Sequence, residues 1–449
     1  MDLAHRLEPT PALVLLWLAD DASRAGELCV LPASEPWGPL RVFGRGGTDS
    51  RSSKRVQLVR QGTHGMNPAA PLLNRHVSRE QLALRARPSG RISVENRGRC
   101  PAYKNGVPFR SEELAPGDLL RLGRQMLFLC VLRPSVATAG EAHEFGRADR
   151  HGLVGESPRV RELRASIEAA AAESGHVLVL GETGTGKELV ARALHAASSR
   201  DDRPLVARNA ATLPEGLIDA ELFGNVRNYP NAGMPERPGL IGQAHHSTLF
   251  LDEFGELGPA QQVHLLRVLD EGEYQRLGES VTRRASFRLV AATNRPITAL
   301  RADVRARFQT KIVLPSLAER REDVPLLAAH ALERWRALRG DADRTPLPLA
   351  FVERLARHDF VGNVRELNAL IARYCNDPRF ESWAEVWRSA PNAPSPGATR
   401  PASLTRGQIE GCLQEHDGVH EKVWRALGLT SRHALARLLK KHGIGERPS

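Results

Sequence analysis

Along the first third of the chain, apolar residues come in short or alternating runs: Leu13–Leu18, Leu28–Leu31, Val56–Val59, Leu82–Ala86, Ile92–Glu95, Leu119–Leu122 and Met126–Leu132. Gly, Pro and Asn separate them, a spacing that predicts a β-sandwich. The rhythm then changes. Strand-like runs Val177–Leu180, Thr248–Leu251 and Arg288–Ala292 alternate with segments of helical period, which predicts a parallel α/β sheet. From Leu317 onward the pattern is helical. It is helical again from Leu404 to the end, with a break at Gly428.

Two stretches interrupt these patterns. Pro134–Arg150 mixes small and charged residues, and Pro391–Ser403 is rich in Pro, Ala and Ser; both read as linkers. The expected organisation is a β-sandwich over 1–135, a linker over 136–152 and an α/β region over 153–315. A helical extension over 316–390, a second linker over 391–403 and an all-α end over 404–449 complete it. A chain of 449 residues has room for this multidomain arrangement.

Composition refines this in three places. The apolar run Ala12–Leu18 is too short to span a bilayer and has no cationic leader, so it reads as a buried strand and no membrane partner is expected. Five scattered cysteines, Cys29, Cys100, Cys130, Cys375 and Cys412, show no CxxC spacing. That excludes a disulfide scaffold and an ordinary zinc finger, and fits a cytoplasmic protein. Lys and Arg number 63 against 52 Asp and Glu, a net charge of +11. The excess fits nucleic-acid binding through phosphates, and it fits an Arg-rich coding bias equally well, so charge alone assigns no function.

The sharpest chemical signal is the run Gly181, Glu182, Thr183, Gly184, Thr185, Gly186, Lys187, Glu188, between the strand HVLVL and the amphipathic segment ELVARALHAA. That is the strand–loop–helix context of a phosphate-binding P-loop. Its glycines let successive N–H groups face phosphate oxygens at a helix N-terminus, and Lys187 adds a point charge. Glu188 stands where Ser or Thr would help to hold Mg²⁺. Downstream, the strand Thr248–Leu251 delivers Asp252 and Glu253 at its end. Asp252 is the candidate Mg²⁺ ligand and Glu253 the group that polarises attacking water. A further strand ends at Thr293 and Asn294, placed to sense a γ-phosphate.

With these residues in view, the central region resembles the AAA+ ATPase domain of bacterial enhancer-binding proteins, which activate sigma-54 RNA polymerase. The resemblance rests on GETGTGKE, Glu221-Leu-Phe-Gly224, TLFLDE, ATN and Gly362-Asn-Val-Arg365-Glu-Leu367, across about Val154 to Cys375. It implies ATP and Mg²⁺ as cofactors and further roles by position. Asn209 would restrain Glu253. Arg301 and Arg307 would sit at a subunit boundary, one of them acting on a neighbour's γ-phosphate. Arg365 would be a second sensor on a helical lid. Catalysis in trans implies a homo-oligomeric ring, usually a hexamer.

The family's GAFTGA hexapeptide, which contacts sigma-54, is replaced here by Asn228-Tyr229-Pro230-Asn231-Ala232-Gly233. Pro230 removes a backbone donor and fixes φ. Either the tip serves another partner, or it touches sigma-54 in an altered way.

The flanks carry their own signals. Gly428 ends one C-terminal helix and Thr430 or Ser431 caps the next, which reads as a helix-turn-helix. The expected DNA contacts are Thr430, Ser431, Arg432, His433, Arg437, Lys440 and Lys441. This end resembles the Fis-type domain of enhancer-binding proteins. The N-terminal region resembles a forkhead-associated (FHA) domain through Gly44-Arg45, Ser78-Arg79 and Asn105-Gly106. That resemblance implies a phosphothreonine-containing partner, bound by Arg45, Ser78, Arg79 and Asn105. Gln81 stands where the family usually has His, and Cys100 where it usually has Asn. The whole therefore reads as an ATP-hydrolysing transcription regulator. The rival is a nonhydrolytic regulator in which ATP only organises a DNA-binding oligomer. A third reading is a chaperone-like remodeller.

Overall fold

The computed structural model describes residues 9–46, 54–62, 65–134 and 143–383, together with Glu410, Leu413 and Leu439. The chain divides into two compact units, Met1–Ala384 and Glu385–Ser449. The linker over 391–403 and the expected helix-turn-helix, with Thr430 to His433, Arg437, Lys440 and Lys441, lie outside the described residues. No helix among the described residues is long and apolar enough to cross a membrane.

The first unit opens with a two-sheet β-sandwich. Its strands are β1 (Thr10–Leu18), β2 (Leu28–Val30), β3 (Arg41–Phe43), β4 (Val59–Gly62), β5 (Gly65–Pro68), β6 (Leu82–Ala86), β7 (Ile92–Asn96), β8 (Ala102–Lys104), β9 (Val107–Phe109), β10 (Ser111–Leu114), β11 (Leu119–Leu122) and β12 (Met126–Arg133). One sheet runs β5-β4-β2-β1-β12-β11-β8-β9 and the other β10-β7-β6-β3. Phe43 and Phe128 meet edge to face across the layers, their centroids 5.5 Å apart. Most expected strands are present. The expected strand at Val56–Val59 begins only at Val59, and β3, β5, β8, β9 and β10 are additional.

The central strand β1 is almost wholly apolar, and its neighbour explains why. Leu13, Leu15 and Leu18 enter the sandwich core with Phe128 and Cys130 of β12. Ala12, Val14, Leu16, Leu127 and Leu129 are equally buried on the opposite face. The helix Leu349–Arg357 packs there, against β1 and β12. A strand covered on both faces needs no alternation of polar residues.

The P-loop region is a five-stranded parallel sheet in the order β14-β15-β18-β13-β19. The strands are β13 (His176–Leu180), β14 (Val206–Asn209), β15 (Thr248–Asp252), β18 (Arg288–Thr293) and β19 (Phe308–Val313), and a ribbon of β16 (Glu273–Tyr274) and β17 (Arg283–Arg284) is inserted before β18. On one face lie α1 (Pro158–Ala172) and α2 (Lys187–Ala196), packed on Val177, Val179 and Val290. On the other lie α3 (Ile218–Phe223), α4 (Gly239–Gln243), α5 (Pro259–Glu271) and α6 (Ala302–Arg305), packed around Leu178, Leu251 and Leu289. The lid follows as a 3-10 segment (Leu317–Asp323) and helices α7 (Val324–Arg339), α8 (Leu349–Arg357) and α9 (Asn363–Asn376). Phe351, Tyr374, Phe380 and Trp383 stack within it.

Sandwich and P-loop region are bonded to each other. Trp17 donates to the Leu347 carbonyl at 2.9 Å, Arg121 pairs with Glu353 at 3.2 Å, and Arg133 forks onto Glu322 at 3.1 and 2.5 Å. From α1, Arg161 donates to the Gln61 carbonyl at 2.6 Å. The expected linker is partly built into this junction. Gly146 N–H and His143 both bond the Glu156 carboxylate, and Asp149 pairs with Arg164. Residues 143–152 are therefore a packed segment rather than a loose spacer.

Candidate nucleotide and phosphopeptide sites

The P-loop leaves β13 and enters α2 through two glycines at positive φ, Gly184 at +81° and Gly186 at +106°. Gly184 admits no side chain: a Cβ there would lie 2.2 Å from the Gly362 carbonyl oxygen. Lys187 folds over the loop, with Nζ donating to the Gly181 and Glu182 carbonyls at 3.1 and 3.2 Å. Thr185 Oγ1 donates to the Glu182 carbonyl. Glu188 is exposed and paired with Arg192 one turn along at 2.8 Å, so its carboxylate is engaged on the helix surface.

Parallel register brings the other candidates to the same sheet edge. Asn209 sits opposite Asp252 in the β14–β15 pair. Glu253 adopts a left-handed conformation at φ +49°, uncommon for a non-glycine residue, and donates its N–H to Asp252 Oδ1 at 2.9 Å. The Asn209 side-chain oxygen accepts from Ala211 N–H, and no hydrogen bond joins Asn209 to Glu253 among the described residues. Asn294, just beyond β18, donates to Thr183 Oγ1 at 3.1 Å. Strand ends and P-loop thus share one polar surface.

The lid closes on that surface. Val364 N–H donates to the Gly184 carbonyl at 3.0 Å. Asn363, fully buried and itself at φ +54°, donates to Glu182 Oε2 at 2.9 Å and the Thr183 carbonyl at 3.1 Å. Its oxygen accepts from Leu317 N–H at 2.7 Å. One side chain so ties the P-loop to both ends of the lid. Arg365 stands exposed beside it, its Cβ 3.0 Å from where a Gly184 Cβ would be. Asn363 was legible only as part of the Gly362–Leu367 motif. At the hinge, buried Asp323 accepts from Glu156 N–H, Ser157 N–H and Ser157 Oγ at 2.7, 2.9 and 2.5 Å.

Arg301 and Arg307 do not bond to the P-loop, Asp252 or Glu253 of their own chain. Arg301 pairs with Asp303 at 2.7 Å and Arg307 with Asp270, both on the surface. The hexapeptide segment is held by a neighbouring insertion. Val226 N–H donates to the Leu277 carbonyl and Leu277 N–H to the Gly224 carbonyl. Tyr229, 41 % exposed, lies over Gly278, where a Cβ would come within 2.6 Å of the ring.

In the sandwich, Arg45 N–H donates to the Ser78 carbonyl at 3.0 Å, and Ser78 Oγ accepts from Arg99 N–H at 3.1 Å. Arg55, which sequence reasoning missed, donates through Nη2 to the carbonyls of Arg45 and Arg79. Gln81, at the position where the FHA resemblance expects histidine, makes a full set of bonds. It accepts from Ser78 N–H at 3.0 Å and donates to Asn96 Oδ1 and the Cys100 carbonyl at 2.6 and 2.8 Å. Asn105 is a correction: it does not join Arg45, Ser78 and Arg79. Its amide is committed to the β8–β9 turn, donating to Asp118 and accepting from Leu119 N–H.

Burial shifts several groups. The Cys29 and Cys130 thiols are pushed up to about 12, so they are inert core residues. Burial lifts the Glu322 carboxyl to about 7, against the opposing pull of Arg133.

Residues 153–312 match the sigma-54 interaction domain, and residues 318–377 match an AAA+ ATPase lid domain. The transcriptional regulatory protein ZraR of Escherichia coli K12 is 36 % identical over 305 residues, covering 65 % of this chain and 69 % of ZraR. The anaerobic nitric oxide reductase transcription regulator NorR of Aeromonas hydrophila is 37 % identical over 323 residues, covering 65 % and 63 % of the two chains. A crystal structure of NtrX from Brucella abortus in complex with ADP aligns at a TM-score of 0.48 with 27 % identity, covering 65 % of this chain and 70 % of NtrX. With its P-loop, acidic strand end and docked lid, the chain belongs to the sigma-54-dependent transcriptional regulators, and its central domain is an ATP-binding AAA+ ATPase.

Proposed function

We propose that this regulator couples ATP hydrolysis to remodelling of a promoter complex, on DNA held by its C-terminal helices, under control of a phosphothreonine-reading sandwich. The observation that carries the reading is the bonding of Asn363 and Val364 to the P-loop, because it makes lid position depend on what the loop holds.

P-loop N–H groups and Lys187 would bind the β- and γ-phosphates. Mg²⁺ suits the hard carboxylate of Asp252, already oriented by Glu253 N–H, and would neutralise charge on the phosphate oxygens. Glu253 would take the water proton as the water attacks the γ-phosphorus and the bond to the bridging oxygen breaks, so that ADP leaves and phosphate forms. Asn209 restrains Glu253 between turnovers, exchanging its bond to Ala211 N–H. Asn294 and Arg365 report the γ-phosphate to sheet and lid. Arg301 and Arg307 leave their surface carboxylates to complete a neighbour's site in a ring, most simply a hexamer. In the sandwich, Arg45 and Ser78 hold the phosphate.

A second reading concerns the target. The changed hexapeptide, with Tyr229 packed over Gly278, favours a motor whose tip serves a partner other than sigma-54. Purified sigma-54 polymerase, a supercoiled promoter carrying the regulator's selected site, and ATP separate the two. Open-complex formation supports sigma-54 remodelling. ATPase activity and DNA binding without open complexes support the second reading. Absence of hydrolysis in every assembly state refutes the motor itself.

A further inference from the structure

We infer that Arg320 is a positioning residue for nucleotide, which strengthens the Gly186 N–H as a phosphate donor from the far side of its own peptide unit. This rests on the nucleotide reading of the P-loop and deepens it.

Three buried arginines near the hinge differ in how well they are satisfied. Arg161, Arg164 and Arg320 are each 6 % exposed. Arg164 is fully engaged, with Nε on Asp149 and its two Nη on the Gly155 and Leu153 carbonyls at 2.7, 2.9 and 2.9 Å. Arg161 pairs with Glu156 and donates to the Glu156 and Gln61 carbonyls. Arg320 has neither arrangement. Its Nη2 donates to the Thr185 carbonyl at 3.5 Å, long for an N–H···O bond, and its buried Nε meets no acceptor among the described residues. Asp323 is the charge that favours the guanidinium, and Arg164 opposes it. The Asp323 carboxylate, however, already accepts from Glu156 N–H, Ser157 N–H and Ser157 Oγ.

The segment that carries Arg320 is pinned at both ends, Leu317 by Asn363 and Asp323 by residues 156–157. Between them the backbone leaves helical geometry at Arg320 (φ −131°, ψ 44°), and the side chain runs to the P-loop. A buried cation so poorly bonded costs free energy, and a ligand-dependent site is where that cost is recovered. The Thr185 carbonyl and the Gly186 N–H belong to one peptide unit, at the N-cap of α2. A donor on the carbonyl polarises the unit and makes its N–H a better donor. A phosphate on the N–H makes the carbonyl a better acceptor in return. Phosphate and Arg320 thus strengthen each other across the peptide, and the long bond to Thr185 tightens as nucleotide binds. The coupling is reciprocal, so the cation that loading satisfies must raise nucleotide affinity by the same factor. Arg320 does this through Thr185 and Gly186, without touching the nucleotide.

Titration of fluorescently labelled ADP into the full-length protein, beside urea unfolding without nucleotide, tests this. Arg320→Met should weaken ADP binding about tenfold, the worth of a bond from a charged donor. Its unfolding midpoint without nucleotide should stay unchanged or rise, because the cation removed is poorly partnered there. Saturating ADP should then raise the midpoint less than in the parent, a readout that a purely structural arginine would leave alone. Arg320→Lys, which keeps the charge without the planar fork, should weaken binding about threefold, and it carries the same test if the methionine variant does not fold. Unchanged ADP affinity in the variants overturns the inference. So does a midpoint that falls along with affinity in both, since the arginine would then be satisfied without nucleotide. In either case ADP binding by the parent leaves the P-loop reading standing. A parent protein that binds no ADP overturns both.

Discussion

In the P-loop region, Lys187 donates to the Gly181 and Glu182 carbonyls, and Arg301 and Arg307 pair with surface carboxylates; around Ser78, Arg55 donates to the Arg45 and Arg79 carbonyls, and none of Arg45, Arg55, Arg79 and Arg99 pairs with a carboxylate among the described residues. The two sites were built for different tasks. On the proposed mechanism the first must cycle: ATP and a neighbouring subunit would take over the places its cations now hold, so each exchange would trade one bond for another of similar strength. The second, on the proposed reading, is preorganised, because Arg55 braces the Arg45 and Arg79 carbonyls before any ligand arrives, an arrangement suited to recognition rather than turnover.

Four substitutions can break or sharpen this comparison. Glu253→Gln should lower the hydrolysis rate about 10²–10⁴-fold with nucleotide binding retained, as read by phosphate release and nucleotide titration. Residual hydrolysis within a few-fold of the parent would remove Glu253 from the cycling machinery. Asn363→Ala comes next. It unpairs Leu317 N–H, the Glu182 carboxylate and the Thr183 carbonyl, and should cost about 3 kcal/mol in denaturant unfolding of the ATPase. Nucleotide affinity should fall with it. A full loss of stability without any change in affinity would mean that the lid bond is structural only.

Gln81→Ala should cost about 2 kcal/mol, less because Asn96 also bonds the Cys100 carbonyl. Phosphopeptide binding should weaken while ATPase activity holds. The smallest effect is at the junction. Glu322 titrates near 7 in the folded protein, against an ordinary value of 4.5. Between those values the folded state keeps a proton that the unfolded chain has released, so stability falls as pH rises through that window. The expected change is about 1 kcal/mol, given the opposing pair with Arg133. Thermal melts from pH 4 to 8 should flatten in Glu322→Gln; an unchanged slope would assign the titration to another group.

Much of this architecture was legible in the sequence, for local reasons. A P-loop needs its glycines, lysine and flanking strand within one short segment, so GETGTGKE identified itself. Strands β6 and β11 were bounded correctly because both are short apolar runs between turn residues. The edge strands β14 and β19 were missed, since VARN buries none of its residues, FQTKIV exposes every second one, and both lack a continuous apolar run. Asn363 bonds to residues about 180 positions away, and no local pattern encodes that pairing. Asn105 misled for the opposite reason. An Asn-Gly pair reads the same whether it touches a ligand or only turns a hairpin, and here both residues take positive φ to turn one. Gln81 departs from the pattern of the resemblance, yet its amide makes three bonds that hold the Ser78 loop, which its residue type alone does not announce.

The double-sided burial of β1 also defines what can be exchanged. A sandwich moved alone onto another ATPase would carry Ala12, Val14, Leu16, Leu127 and Leu129 into water, together with an unpaired Arg133. At about 25 cal/mol per Å² of apolar surface, such a graft would be insoluble or unstable without a matching helix to cover it. Sandwich, P-loop region and lid lie in one compact unit, Met1–Ala384, so a domain exchange is expected to succeed after Ala384 rather than near residue 136.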